Sequence, residues 1–404
     1  MLPVTFLLLL TTACNKGKAD EDEETTDDEA KIEYRTTLKV GANKQFKTIS
    51  EAAAAAKDST LVEIDAGTYK GDVAKWTQNE LLIRAVGGEV ILDADGKHYD
   101  GKGIWEIDGG RVRVEGITFK NAKVPDQNGA GIRLTNGNLT VVNCHFLHCE
   151  MGLLTANFAS IRLLVENSEF GYGGYGNGYS HNIYVGYIGY FSVSGSYFHH
   201  AAKGHLMKTR AAISIITNNR ITDENDAASQ ASYEIDIPSG GQAVVVGNII
   251  QQSMHSENRR IIEYAMEGHD HHQKNELYVA YNTILNSLSS DDALFRMNNI
   301  NSFKVVVCNN LLQKNIYIND DIPIHEASGN ATFAPGDLNN DFFPSKALYD
   351  KWKNTVTPDI DKFLSANLKD IKVSLVPKAE YRHPMKTVAL KNAPVFPGAY
   401  QTTF

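Results

Sequence analysis

The fold this sequence predicts is an all-β solenoid: a single-stranded parallel β-helix with an N-terminal capping helix and a C-terminal cap segment. Three observations carry the prediction. A unit made of an apolar run, then a Gly or Asn, then an apolar residue two to four positions on recurs through the middle of the chain. Its spacing, 23 to 34 residues, is the length of chain that one coil of stacked strands needs. An Ala-rich helix leading into a strand precedes the first unit, and a polar, partly helical stretch follows the last.

The elements follow in order. Leu2 to Leu10 is a short apolar run before Thr11-Thr-Ala-Cys14, too short to span a bilayer, and residues 1–13 read as a secretion signal. A small residue before cysteine resembles the bacterial lipoprotein cleavage box. That resemblance implies lipidation at Cys14, membrane attachment only through that anchor, and a place on the outer membrane or cell surface of a bacterium. Residues 14–36 read as an acidic disordered tether, since residues 15–34 hold nine acids and three bases, −6 of the chain's −9. The remainder is close to neutral and offers no broad basic surface, so nucleic acid is excluded as a partner. Thr48–Lys57 is a helix with Ser50 as its cap, and Thr60–Tyr69 is a strand ended by a Gly turn.

The repeat units place their turn residue at Gly116, Asn143, Asn167, Gly195, Asn218, Gly247, Tyr281 and Cys308, Asn following by one in the last two. Gly and Asn adopt the left-handed conformation of a tight turn at little cost, and stacked Asn side chains can bond up the coil. The solenoid is assigned residues 37–335 and the C-terminal cap residues 336–404. Cys144 and Cys149 flank His145 and His148. A strand would send these four to opposite faces, so the cysteines read as buried small residues rather than zinc ligands.

Residues 170–222 hold no Asp or Glu, although the chain has 48 carboxylates in 404 residues. The strip carries His181, His199, His200, His205, Lys203, Lys208, Arg210 and Arg220, with six tyrosines between Tyr172 and Tyr190. Positive charge and flat aromatic faces are what an anionic polysaccharide needs. Tyr179, His181, His200, Lys203 and Arg220 are therefore expected to bind substrate, with Arg296 and Glu263 extending the groove on later coils. His269-Asp-His-His272 reads as a loop overhanging it.

Counting back 12 residues from Gly195, Asn218 and Gly247 puts Ile183, Leu206 and Ile235 in one inward row. Asn182, His205 and Glu234 then face outward on one side, and Tyr184, Met207 and Asp236 on the other. Strict alternation points Lys208 inward, level with Val185 and Ile237, where a lone ammonium is costly. The strand is therefore expected to bulge there and turn Lys208 and Arg210 outward. A purely structural ion pair of Lys208 with Asp236 or Glu234 is the competing reading.

The capping helix, the repeats and the closing Gly398-Ala-Tyr400 resemble the right-handed parallel β-helix proteins of the pectate-lyase type, and among them the polysaccharide lyases and uronan C5-epimerases. The resemblance implies a monomeric enzyme cleaving a uronate-containing polysaccharide by β-elimination. It implies Lys208 as base, Arg210 or a tyrosine such as Tyr184 as proton donor, and Ca²⁺ held by Asn182, Glu234 and Asp236. His205 is a second candidate base, its ordinary pKa already lying near neutrality. A C5-epimerase and a non-catalytic adhesive protein remain as alternatives. A glycoside hydrolase needs paired carboxylates at a defined separation, and the strip has none.

Overall fold

One coil consists of three short strands joined by corners, as in Arg162–Glu166, Glu169–Gly171 and Ile183–Val185. Each strand pairs in parallel with its counterpart one coil on: Tyr190–Ser194, Tyr197–His199 and Gly204–Thr209. Repetition of this pairing from Thr36–Val40 to Ala331–Phe333 builds a parallel β-helix with three long sheets. These features belong to a computed structural model, in which residues 33–319 and 321–402 are described. The secretion signal, Cys14 and nearly all of the tether lie outside the described residues.

The corner between the first and second sheets is where the repeat was read. Gly116, Asn143, Asn167, Gly195, Asn218, Gly247 and Tyr281 all have positive φ there. In the following coil the left-handed residue is Asn309 rather than Cys308, one place later than expected. The next residue in each late coil is an inward Asn. Asn219, Asn248, Asn282 and Asn310 each donate Nδ2 to the Oδ1 of the Asn one coil on, the last to Asn330, all at 3.0 Å. In earlier coils Cys144, Ser168 and Ser196 occupy the same row, which explains the burial of Cys144. Two residues further along, Phe119, Phe146, Phe170 and Phe198 stack with centroids 4.7–5.1 Å apart. Identical residues recur because each meets the same neighbours one strand spacing away.

The N-terminal end is closed by the helix Ile49–Ala55, whose Ile49, Ala52 and Ala53 are buried in the core. Its cap is Thr48 rather than Ser50. Thr48 Oγ1 accepts from the Glu51 amide, and the Glu51 carboxylate accepts from the Thr48 amide, a reciprocal capping box.

The C-terminal stretch packs back along the outside of the coils. Ile360, Leu364, Leu368 and Leu375 cover Ile215, Val244, Val246 and Val306 on the first sheet. Tyr381, Ala399 and Tyr400 cluster with Ile249, and Leu348 and Phe396 with Leu311, on the second. The third sheet, running through Ile183–Val185, Gly204–Thr209, Ala231–Ile237 and Ile262–Tyr264, takes no part in these clusters. Its outer face carries the charged side chains.

Candidate functional site on the third sheet

Register decides which side chains reach this face. Tyr184 pairs with Lys208, Lys208 with Asp236, and Asp236 with Glu263. Ile183, Met207, Ile235 and Ile262 form the inward row beside them. Lys208 therefore faces outward without needing a bulge at its own position, and the register expected from counting is one residue out in its coil. The cause is a short corner. Only Arg210, Ala211 and Ala212 separate Thr209 from the next strand, whereas Gly186–Gly189 and Pro238–Gly241 do so in the neighbouring coils. The register irregularity that does exist lies between Gly204 and His205.

Asn182 and Glu234 are not outward. Asn182 is buried, donating Nδ2 to the carbonyls of Phe170 and His199 and accepting from the Gly173 amide. Glu234 is fully buried with both carboxyl oxygens lacking a hydrogen-bond partner, and burial holds its pKa well above the usual carboxylate range. The expected calcium set cannot form, because Asn182 and Glu234 face the interior while Asp236 faces out. A different acidic set does converge: oxygens of Asp236, Glu263 and Glu267 lie within 4.8 Å of one another. Lys208 Nζ, however, sits 2.8 Å from Asp236 Oδ2 and 3.0 Å from Glu267 Oε1, so an ammonium already fills the place of a cation. The residues do not fit a calcium ion in this arrangement.

Glu267 was not foreseen. It projects from the long loop that carries His269–His272, and that loop brings a carboxylate onto the outer face of the third sheet. His272 Nε2 contacts the Arg210 carbonyl at 3.1 Å and His271 packs on Tyr187 at 4.5 Å. Glu267 bridges Lys208 and Arg210 while 48% of its side chain stays open to solvent. Arg210 also donates Nε to Tyr184 Oη at 3.0 Å and Nη1 to Ser239 Oγ at 2.7 Å. Burial alone would lower the Lys208 pKa, but Asp236 and Glu267 together hold it above its ordinary value, so the resting side chain is an ammonium.

His181, His205 and Tyr233 stack beside this column, the rings 4.6 and 5.2 Å apart. His181 Nδ1 accepts from the His205 amide and His205 Nδ1 from the Tyr233 amide, which puts the ring proton of each neutral histidine on Nε2. Burial pushes the His205 pKa down to about 4, and its Nε2 lies 3.2 Å from Asp236 Oδ2. His205 thus has no lone pair left for abstracting a proton; it positions Asp236. Glu263 is pushed up to about 7, first by burial and then by Asp236, and it pairs with Arg296 at 3.4 Å.

Several strip residues go elsewhere. Arg220 is buried beneath the C-terminal segment, paired with Glu224 at 2.9 Å and stacked on Phe342, so it is not a groove residue. His200 joins a chain on the second sheet, with Nε2 2.8 Å from Asp226 and Nδ1 2.5 Å from His199 Nδ1. There Glu169 also binds His145 and His199; burial would raise its pKa, yet these two histidines hold it at about 2. Lys203 pairs with Glu257 at 3.4 Å. The strip is free of acids in sequence but not in space, because carboxylates just outside it and on later coils pair with its cations and histidines.

Upstream of Tyr184 lies a recess of ≈ 280 Å³ lined by Arg133, Leu154, Tyr179, Tyr184, Asn157 and Asn177, among others. Tyr179, 82% exposed, is among the residues that line it. Arg133 was not foreseen: it lies three strands before Lys208, in a coil with no distinguishing composition.

No protein-family model matches the sequence, and no curated protein matches it. Among solved structures, the chain is similar to pectate lyase Pel9A, at 15% identity and a TM-score of 0.46 over 92% of this chain and 98% of that one. A PL6 alginate lyase complexed with a trisaccharide matches at 11% identity and a TM-score of 0.34, over 74% and 85%. A pectin methylesterase complexed with a hexasaccharide matches at 12% and 0.33, over 80% and 97%. Likenesses this distant assign no chemistry. The parallel β-helix is defined by the strand pairing itself.

Proposed function

We propose that the third-sheet groove binds a uronate-containing polysaccharide and cleaves it by β-elimination. One observation carries the reading: a tethered carboxylate, Glu267, bridges Lys208 and Arg210 beside the Tyr184 hydroxyl. A place that one carboxylate occupies in a charge-assisted pair is a place for another, and a sugar carboxylate displaces Glu267 there. Neutralising that carboxylate acidifies C5–H. Neutral Lys208 Nζ then takes the C5 proton, its electron pair forms C4=C5, the C4–O bond breaks, and Tyr184 protonates the departing oxygen. Lys208 afterwards releases its proton to water, from which Tyr184 regains one.

Because Asp236 and Glu267 keep Lys208 protonated, its base form is scarce near neutrality. The initial rate is therefore expected to rise about tenfold per pH unit through the neutral and mildly alkaline range. Alginate, pectate and glycosaminoglycans, followed by ultraviolet absorbance of the unsaturated product, test the reading. Lys208→Ala is expected to abolish the signal with the fold intact. Glu267→Gln, which removes one of the two acids on Lys208, is expected to move the profile toward lower pH. Arg210 supplies the local cation while Lys208 acts as the neutral base, so chelator is expected to leave the rate unchanged.

The Asp236, Glu263 and Glu267 cluster favours a second reading, a glycoside hydrolase. Oxygens within 4.8 Å leave less room than the ~6.5–9.5 Å that an inverting pair needs for its water. New reducing ends without absorbance would select it. Proton exchange at C5 without cleavage would select an epimerase, and retained binding with neither signal an adhesive protein.

A further inference from the structure

We infer that the recess at Arg133 is a subsite for one carboxylated sugar unit, three strands from Lys208 along the groove. This rests on the uronan-binding reading above and fixes how the polymer lies. The pairing Arg133 to Leu154, Leu154 to Tyr184 and Tyr184 to Lys208 sets the two cations on one outward column. Three strand spacings separate them by roughly 14 Å, so the chain runs along the helix axis across the strands.

The recess has the chemistry of such a subsite. Arg133 is half-buried, and its Nε has no hydrogen-bond partner although it is shielded from solvent. Buried donors are nearly always satisfied, and Arg133 lines the recess, where a carboxylate would give its guanidinium, turned into the cavity, the partner that Nε lacks. Arg133 lies level with Glu106, but that carboxylate is bound by Lys75 at 3.0 Å on the far side. Tyr179 offers an exposed ring at the rim, and Asn177, held by Gln127 at 2.9 Å, offers amide groups for hydroxyls. Asp126 is the acid in the lining and opposes an anionic ligand.

Length dependence tests the inference. Calorimetric titration of the full chain, in a Lys208→Ala background that prevents turnover, would use a uronate disaccharide, a hexasaccharide and a carboxyl-reduced hexasaccharide. Arg133→Met is expected to weaken hexasaccharide binding roughly tenfold or more and leave the disaccharide at Arg210 unaffected. The carboxyl-reduced hexasaccharide should bind equally well with and without that substitution. Arg133→Lys keeps the charge without the planar fork and should fall between, which separates a lost contact from a damaged fold. Asp126→Asn should tighten the hexasaccharide. Equal hexasaccharide affinity with and without Arg133 overturns the subsite while leaving the groove. Failure of every uronate to bind, with Arg133 and Lys208 both present, overturns the groove reading itself.

Discussion

Glu234 is the most consequential side chain that the sequence placed on the wrong face. It is fully buried beside Asp223, whose carboxyl burial pushes up to about 7. A carboxyl whose folded pKa is raised favours folding below its unfolded pKa, about 4, and that contribution is lost as pH rises through the folded value. Glu234→Gln keeps a neutral side chain at every pH. The variant is therefore expected to differ least from the parent near pH 4 and to exceed its unfolding free energy clearly near pH 8. Urea denaturation at the two pH values would show it; a difference that does not change with pH contradicts the account. At this scale the sequence was legible for type but not for direction. Tyr179, Lys208, Arg210 and Arg296 could be singled out by chemistry, yet Lys208 was placed on the wrong face because one corner is shorter than its neighbours, and Asn182 and Glu234 are buried although Ile183 and Ile235 beside them point inward as counted. Arg220 and His200 had nothing in their own segment to reveal that Glu224 and Asp226 would claim them.

The corner ladders are the elements that the repeat made visible. Asn282 accepts from both the amide and the Nδ2 of Asn248, and donates to Asn310 and to the Val245 carbonyl at 2.8 Å. Truncation to Ala would leave buried partners on two adjacent coils unsatisfied. Asn282→Ala is expected to cost about 3 kcal/mol in urea denaturation, and Asn282→Ser, which restores an acceptor, visibly less. An Ala variant within ~0.5 kcal/mol of the parent would show that water replaces the amide without loss. The Gly and Asn spacing was readable because left-handed geometry restricts residue choice. The Glu267 loop was not, since a long interval announces an insertion but not which of its residues folds back onto the sheet.

For the molecule as a whole, the C-terminal segment determines which faces of the solenoid remain open. A chain ending before residue 336 would bare Ile215, Val244, Val246 and Val306 on the first sheet and Ile249 and Leu311 on the second. Contiguous apolar faces of that kind drive association. The truncated protein is expected to aggregate or bind a hydrophobic dye strongly, as light scattering and dye fluorescence would register; a monodisperse, dye-silent product would contradict the covering role. The three-residue corner Arg210–Ala212 has a consequence for how such a protein changes over generations. Inserting one codon there would give that corner the length of its neighbours while the strand before it kept Lys208 level with Tyr184 and Asp236. Lineages of this architecture can thus absorb single-triplet insertions and deletions at corners while strand pairing, and the surface chemistry it aligns, is preserved.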